Sequence, residues 1–335
     1  MSKTLTTIET SEYILAGGGN PLTITSTGGV ETSGGTAIYG GSSQAWTIIN
    51  AGVVSSGVVA DGTGIDLRAG GTIGNTGQIS GFHYAIRIRG SAGTVTNAGS
   101  IAGETDGVVL FAGGSVSNAA AGVIAGTINV GVYVSGGAAT VTNAGTISGF
   151  ALADAVQIIS GYTDRVIVDP NAVFSGKVEG GNTIGATAVS TLELASGAST
   201  GTLAGLGTKY VDFAQVSVDT GASWHLSGNN TLVAGAVLTD SGILTNTAAL
   251  ADNGTLNGGG ILINTGDISV SSAGGLALTG GAVTNTTLGT IVGSFDGLRM
   301  TGGGRWSMPA RSSTTVPSTR VFTLAAHRSS TRPAE

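Results

Sequence analysis

The chain has 335 residues, of which 60 are glycine, 5 are proline and 10% carry a charge. It contains no cysteine, which excludes disulfides and thiol-ligated metals, and its net charge of −6 argues against a nucleic-acid partner. Because glycine weakens a helix by about 1 kcal/mol per position relative to alanine, a helical fold is disfavoured. Regularly spaced Val, Ile and Leu disfavour disorder, so a β-rich, turn-rich fold remains.

The first 30 residues form a polar, threonine-rich segment that we interpret as a lead-in or cap. Its first 16 residues lack a basic stretch followed by an apolar core, so we predict no signal peptide in this chain. No apolar run reaches about 18 residues, so we also predict no transmembrane segment.

A repeated phrase occupies residues 31–163 and is clearest at 94–103 and 140–149, which both read Thr-Val-Thr-Asn-Ala-Gly-x-Ile-x-Gly. The asparagines of this phrase are Asn50, Asn75, Asn97, Asn118 and Asn143. A second series of short alternating runs starts at Ile65, Ile86, Val108, Val132 and Val156. Both series keep a period of 21–25 residues, so we predict the stacked coils of a parallel β-solenoid.

In such coils one set of alternating side chains points inward and stacks on its equivalents in the neighbouring coils. Glycine is predicted to supply the corner conformations, and asparagine to tolerate the left-handed region there. Asparagines in register are also predicted to hydrogen-bond along the stack.

Residues 164–228 depart from the period but still alternate, so we predict coils of a different shape there. The marker returns at Asn246, Asn264 and Asn285, which places further repeats at 229–304. Residues 305–335 contain five arginines, three prolines and no glycine. Two interpretations of this last segment remain open, a disordered tail or a reading frame that shifts after Gly304.

The repeated phrases, and the stretch from Asp164 to Trp224, resemble the passenger regions of bacterial autotransporters and related large surface adhesins. The resemblance covers most of residues 31–304. It implies a right-handed parallel β-helix that crosses the outer membrane of a Gram-negative cell and is displayed or released there. The absence of cysteine fits passage through a narrow pore.

No catalytic, metal or cofactor site is predicted. The string Gly197–Gly201 matches G-x-S-x-G, but that motif needs a strand-to-helix turn, and no helix is expected here. The closest group of charged residues, Asp164, Arg165 and Asp169, is interpreted as a solvated turn.

The candidate binding residues are Arg68, His83, Arg87 and Arg89. Alternation places Arg87 and Arg89 on the outer face, and an offset of one coil places Arg68 beside Arg89 and Asp66 beside Arg87. Stacked like charges reduce stability, which is tolerable in a site for an anionic glycan or lipopolysaccharide. The alternative is an edge kept soluble by charge, with Asp66 neutralising Arg87.

We predict a non-enzymatic adhesin, secreted or displayed on the outer-membrane surface of a Gram-negative bacterium. Its partners would be glycans or proteins of host or bacterial cell surfaces, or further copies of itself, held by many weak contacts. One alternative is a carbohydrate-active β-helix enzyme, a polysaccharide lyase or hydrolase, which needs a compact acidic cluster. Another is a structural or ice-binding solenoid, which needs threonines on one flat face over many coils, and the sequence interrupts them.

Overall fold

The structure is a computed structural model and describes residues 2–57, 61–151, 153–271, 276–293, 298–301 and 304–307. Two compact units divide the chain, one of Met1–Glu193 with Lys209–Ala214 and one of Leu194–Thr208 with Gln215–Glu335. Each is a parallel β-solenoid, and together they hold about 12 coils of about 23 residues. The predicted all-β parallel solenoid is therefore confirmed, whereas its right-handedness stays a prediction.

The coils of the first unit have three faces, each formed by parallel strands of successive coils. The first face holds Lys3–Leu5, Leu22–Ile24, Trp46–Asn50, Gly71–Asn75, Gly93–Asn97, Gly114–Asn118, Ala139–Asn143, Asp164–Val168 and Ser190–Leu194. The second holds Ile8–Glu9, Gly29–Glu31, Val53–Ser55, Gln78–Gly81, Ser100–Gly103, Val123–Gly126, Thr146–Ser148 and Val173–Ser175. The third holds Tyr13–Ile14, Ile38–Gly40, Thr63–Leu67, Tyr84–Ile88, Asp106–Leu110, Val132–Val134, Val156–Ile158, Val178–Glu179 and Tyr210–Val211.

Aliphatic side chains fill the interior of this unit in columns. One column on the first face runs through Ile48, Ile73, Val95, Val116, Val141 and Val166, each at most 1% exposed. Burying one such side chain contributes about 1.5–3 kcal/mol. The stack thus forms a core although aromatic residues make up only 5% of the sequence.

The repeated asparagines form a buried ladder, as predicted. From Asn50 to Asn143, each side-chain nitrogen donates to the side-chain oxygen of the next asparagine at 2.8–2.9 Å. Each of the five side chains is at most 2% exposed. The ladder fixes the register of the coils, because a one-residue slip would leave these amides without partners.

The prediction that glycine supplies the corner conformations is confirmed where the chain passes from the third face to the first, since Gly70, Gly90, Gly113 and Gly136 have positive φ. The prediction that asparagine occupies the left-handed region is wrong for the ladder, because the non-glycine residues with positive φ are Ala151 and Asp212 among those described. The glycine of the repeated phrase meets a different requirement, the close approach of stacked coils. A Cβ on Gly77 would lie 2.1 Å from the carbonyl oxygen of Gly52 in the preceding coil.

The coils of the second unit are also built from three sets of strands. Its first set of strands comprises Gln215–Val218, Val237–Asp240, Thr255–Gly258, Leu276–Thr279 and Leu298–Thr301. The second set comprises Gly201–Ala204, Ser223–Ser227, Ile243–Asn246, Ile261–Asn264, Ala282–Asn285 and Arg305–Ser307. The third comprises Asn229–Leu232, Ala249–Asp252, Asp267–Val270 and Thr290–Gly293. Asn246 donates to Asn264, 18 residues along the chain, so the predicted range of 21–25 residues per coil is too long here.

Two segments assigned outside the repeats contain strands. The predicted lead-in, 1–30, already contributes Lys3–Leu5, Ile8–Glu9 and Tyr13–Ile14 to the three faces. The predicted tail begins with the strand Arg305–Ser307, which pairs with Ala282–Asn285. The rest of that tail, 308–335, lies outside the described residues. Apart from a 3₁₀ turn at Gly17–Gly19, the described ranges contain no helix, and therefore none able to cross a bilayer.

Candidate functional site

Three of the four predicted binding residues meet around one carboxylate on the third face of the first unit. Arg87 lies directly opposite Asp66 in the register of neighbouring strands. Arg68 and Arg89 each follow their strand by one residue, and the backbone N–H of Arg89 donates to Leu67. We call Arg68, Arg87, Arg89 and Asp66 the arginine face.

The carboxylate of Asp66 accepts hydrogen bonds from all three arginines. Arg87 forms a fork, with Nε 3.1 Å from Oδ1 and Nη2 3.0 Å from Oδ2. Nη2 of Arg89 and Nε of Arg68 reach Oδ2 at 2.8 and 3.4 Å. The prediction that Asp66 neutralises Arg87 is confirmed, and the same carboxylate also holds the other two guanidinium groups.

Asp66 stays ionised in this environment. Burial on its own raises the pKa of the carboxyl group, but hydrogen bonds and charge from Arg87 and Arg89 outweigh it and hold the pKa below its ordinary value. The side chain of Asp66 is 1% exposed, whereas those of Arg68, Arg87 and Arg89 are 46%, 21% and 34% exposed. Water and ligands therefore meet the arginines and not the carboxylate.

The arginine face has unused binding capacity. Three guanidinium groups carry about fifteen N–H donors, and Asp66 takes up four of their hydrogen bonds. Three positive charges against one negative charge leave a local excess of two positive charges on a chain whose net charge is −6. Planar guanidinium forks suit carboxylate and sulfate groups, so the arrangement favours an anionic ligand.

Two tyrosines missed by the sequence analysis flank the arginines. Cζ of Arg68 lies 4.9 Å from the ring centre of Tyr39, and Cζ of Arg87 lies 5.3 Å from that of Tyr84. Tyr84 stacks on His83 with 3.9 Å between ring centres. His83 thus joins the group through Tyr84 and forms no described hydrogen bond to the carboxylate. Tyr39 lies opposite Asp66 in the register of neighbouring strands. The offset of one coil that placed Asp66 beside Arg87 could therefore also have placed Tyr39 in this group.

Aromatic side chains continue in the following coils. Val109 pairs with Arg87 on one side and with Tyr133 on the other. The Tyr133 ring meets Phe111 edge to face at 6.1 Å, and Phe111 is 41% exposed. Aromatic side chains therefore lie on this face both before and after the coils that carry the arginines, a composition suited to sugar rings that bear acidic groups.

A second charged cluster on the third face was not foreseen. Lys177 bonds to Glu179 and lies 3.8 Å from Asp154, with Asp212 near enough to contribute charge. Burial, followed by the charge of Glu179, raises the pKa of Asp154 to about 6. A carboxyl group with a raised pKa thus stands beside a second carboxyl group, the pairing that acid–base chemistry uses.

The residues considered for catalysis do not form a site together. The segment Gly197–Gly201 leads into the strand Gly201–Ala204, so it lacks the helix that a nucleophile elbow requires. Asp164 is not in a solvated turn, since it is 2% exposed and accepts the backbone N–H of Ala139 at 2.7 Å. Burial raises the pKa of Asp164 to about 6. Arg165 pairs with Glu193 and not with Asp169.

Hydroxyl side chains form one longer column than the sequence suggested. The outer positions of the first face align Thr47, Thr72, Thr94, Ser115 and Thr140 in five successive coils. The neighbouring column is interrupted by Ile49 and Gly74. A face two hydroxyl columns wide is therefore limited to the three coils that follow Gly74.

Among the described residues, no group of three or more His, Asp or Glu side chains has the geometry to hold a metal ion. Comparison of the chain with protein-family models, with curated proteins and with solved structures found no match.

Proposed function

We propose that this chain is the solenoid module of an adhesin, a binding protein and not an enzyme, that attaches to anionic glycans through the arginine face. The observation that carries the proposal is the set of three partly exposed guanidinium groups clamped on one buried carboxylate. The clamp holds the side chains in place before the ligand arrives, which lowers the entropy lost on binding.

The repeated solenoid supports a role at the outer surface of a Gram-negative cell, secreted or displayed as autotransporter passengers are. Parallel coils whose strands pair from coil to coil within each sheet give support without cysteine. Acidic polysaccharides of host or bacterial surfaces present one charge per repeat unit, so several modules bound along one chain would add avidity. Cell-surface proteins and further copies of this chain are the other partners proposed.

The test is binding to an array of acidic and neutral glycans, followed by titration of the strongest acidic binder. Arg87→Ser combined with Arg89→Ser removes two of the three positive charges, and we expect affinity to fall about tenfold or more. Raising the salt concentration should lower the affinity of the unmodified protein for the acidic glycan and leave that of the double variant nearly unchanged. Arg165→Ser is the matched control, because Arg165 is 50% exposed but lies on the first face.

A second pair of variants separates charge from geometry. Arg87→Lys with Arg89→Lys keeps both charges and loses the planar fork, so affinity between those of the parent and the serine variant is expected. Unchanged binding by the serine variant would refute the arginine face as the glycan site.

A second candidate function, cleavage of an acidic polysaccharide, is favoured by the cluster of Asp154, Lys177, Glu179 and Asp212. The same incubations decide it when the glycans are recovered and their chain lengths measured by mass spectrometry. Shortened products that disappear in Glu179→Gln would support the enzyme, and full-length glycans would support the binding module.

A further inference from the structure

One corner of the first unit is lengthened in two successive coils. The third corner is the connection from the third face to the first face. In four consecutive coils it takes three or four residues, namely 68–70, 89–92, 111–113 and 135–138. It then takes five residues, 159–163, and ten residues, 180–189. Because insertions in repeat proteins collect on the face that binds, this corner is where a ligand site is expected.

The two long connections enclose an open cleft of about 740 Å³. Its volume falls in the range of small-molecule sites, about 300–1,000 Å³. One wall contributes Ser160, Tyr162 and Thr163, and the other contributes Asn182, Thr183 and Thr187. The third corner is also long in the first two coils, at 15–21 and 41–45, so this cleft is defined by its lining and its bracing and not by corner length alone.

Asn182 braces the cleft. It is 3% exposed, and its Oδ1 accepts the N–H of Gly161 at 2.9 Å. Its Nδ2 donates to the carbonyl oxygen of Tyr162 at 2.6 Å and to Oγ of Ser190 at 2.8 Å. One buried amide thus ties the first wall to the base of the second, so the cleft is formed before a ligand binds.

The lining indicates the ligand class. The residues that line the cleft carry no charged side chain, and four of them carry hydroxyl groups in addition to the phenol of Tyr162. Hydroxyl groups both donate and accept hydrogen bonds, which suits the hydroxyls of a sugar. The Tyr162 residue is 40% exposed and offers a ring face for the apolar side of a pyranose.

We propose that the cleft between residues 160–163 and 181–188 binds a short neutral oligosaccharide, as a site separate from the arginine face. The cleft takes uncharged sugar units by stacking on Tyr162 and by hydrogen bonds to the surrounding hydroxyls. The inference does not depend on anionic-glycan binding, because the two sites share no residue.

Saturation-transfer NMR with maltotriose, cellotriose and tri-N-acetylchitotriose tests the proposal, and the trisaccharide that binds is titrated. Tyr162→Ala is expected to lower its affinity about tenfold, and Thr183→Ala with Thr187→Ala about threefold or more. Phe150→Ala is the matched control, since Phe150 is 57% exposed and lies outside the cleft lining. All the substituted side chains are exposed, so folding is preserved.

Each proposal has its own readout. Arg87→Ser with Arg89→Ser should leave trisaccharide binding unchanged, and Tyr162→Ala should leave acidic-glycan binding unchanged. If none of the three trisaccharides binds, or if Tyr162→Ala binds as tightly as the parent, the cleft proposal is overturned whatever the acidic glycans do.

Discussion

The two units build parallel coils from chain lengths that differ from coil to coil. In the first unit successive ladder asparagines are separated by 21–25 residues, whereas in the second Asn246 and Asn264 are separated by 18 and Asn264 and Asn285 by 21. The inner columns are aliphatic in both. Compared with the 18-residue coil 237–254, the 22-residue coil 71–92 has two more residues in its strands and two more in its third corner. The arginine face and the neutral cleft include residues of the third corner of the first unit. The comparison teaches that core columns define the coil, and that corner length supplies binding chemistry.

The units also differ in the side chains that end their strands. In the first unit five successive strands of the first face end in the asparagine ladder, and in the second unit a shorter ladder runs through Asn246, Asn264 and Asn285. Two other strands of the second unit end in aspartate instead. Asp240 and Asp252 accept the backbone N–H two residues on, as the ladder asparagines Asn50 and Asn97 do. Their Oδ2 atoms are buried without a partner. An amide both donates and accepts, so it can repeat from coil to coil, and a carboxylate cannot.

The largest expected effect comes from breaking the ladder at its centre. Asn97 donates to Asn118, Gly99 and Val123 and accepts from Asn75. Asn97→Ala leaves several of these buried groups without a partner, so we expect a loss of about 3–5 kcal/mol in the free energy of unfolding. Urea denaturation followed by circular dichroism measures it.

Thr96→Ala is the control, because Thr96 is exposed on the same strand and should change stability by less than about 0.5 kcal/mol. Equal effects from the two substitutions would show that the ladder does not hold the coils in register.

A smaller effect is expected at the glycine that ends the strand Ser100–Gly103 of the first unit. A Cβ on Gly103 would lie 1.7 Å from the carbonyl oxygen of Asp106, whereas a Cβ on Gly74 would have Thr96 Oγ1 at 3.6 Å as its nearest neighbour. Gly103→Ala should therefore lower the free energy of unfolding by about 2 kcal/mol, and Gly74→Ala should be nearly neutral. Thermal denaturation of both variants makes the comparison, and similar melting temperatures would contradict it.

The sequence predicted what repeats and missed what occurs once. The asparagines of the repeated phrase and the starts of the second alternating runs keep the same period. These two series were enough to predict the solenoid, the ladder and the pairing of Ile65 with Ile86. Alternation also placed Asp66 beside Arg87. It did not show that three arginines converge on Asp66. Arg68 and Arg89 lie in the corners, and the reach of a side chain from a corner produces no repeated pattern in the sequence. The bracing by Asn182 and the 18-residue coils were missed for the same reason, since each departs from the repeat.

The smallest expected effect tests the carboxylates of the second unit. Burial raises the pKa of Asp240 from its ordinary value of 3.8 to about 6, and the N–H of Gly242 lowers it only in part. A carboxyl group whose pKa is higher in the folded state stabilises the fold when protonated. That contribution is lost as the pH rises from about 4 through 6.

Asp240→Asn removes the buried charge and keeps the acceptor for Gly242, as in the ladder. We expect the free energy of unfolding to rise by about 1 kcal/mol at pH 7.5 and to change little at pH 4.5. Urea denaturation at the two pH values measures this, with the exposed Asp267→Asn as the control. A gain of equal size at both pH values would mean that Asp240 does not ionise between them, and would contradict buried ionisation as the cost that distinguishes Asp240 from the ladder asparagines.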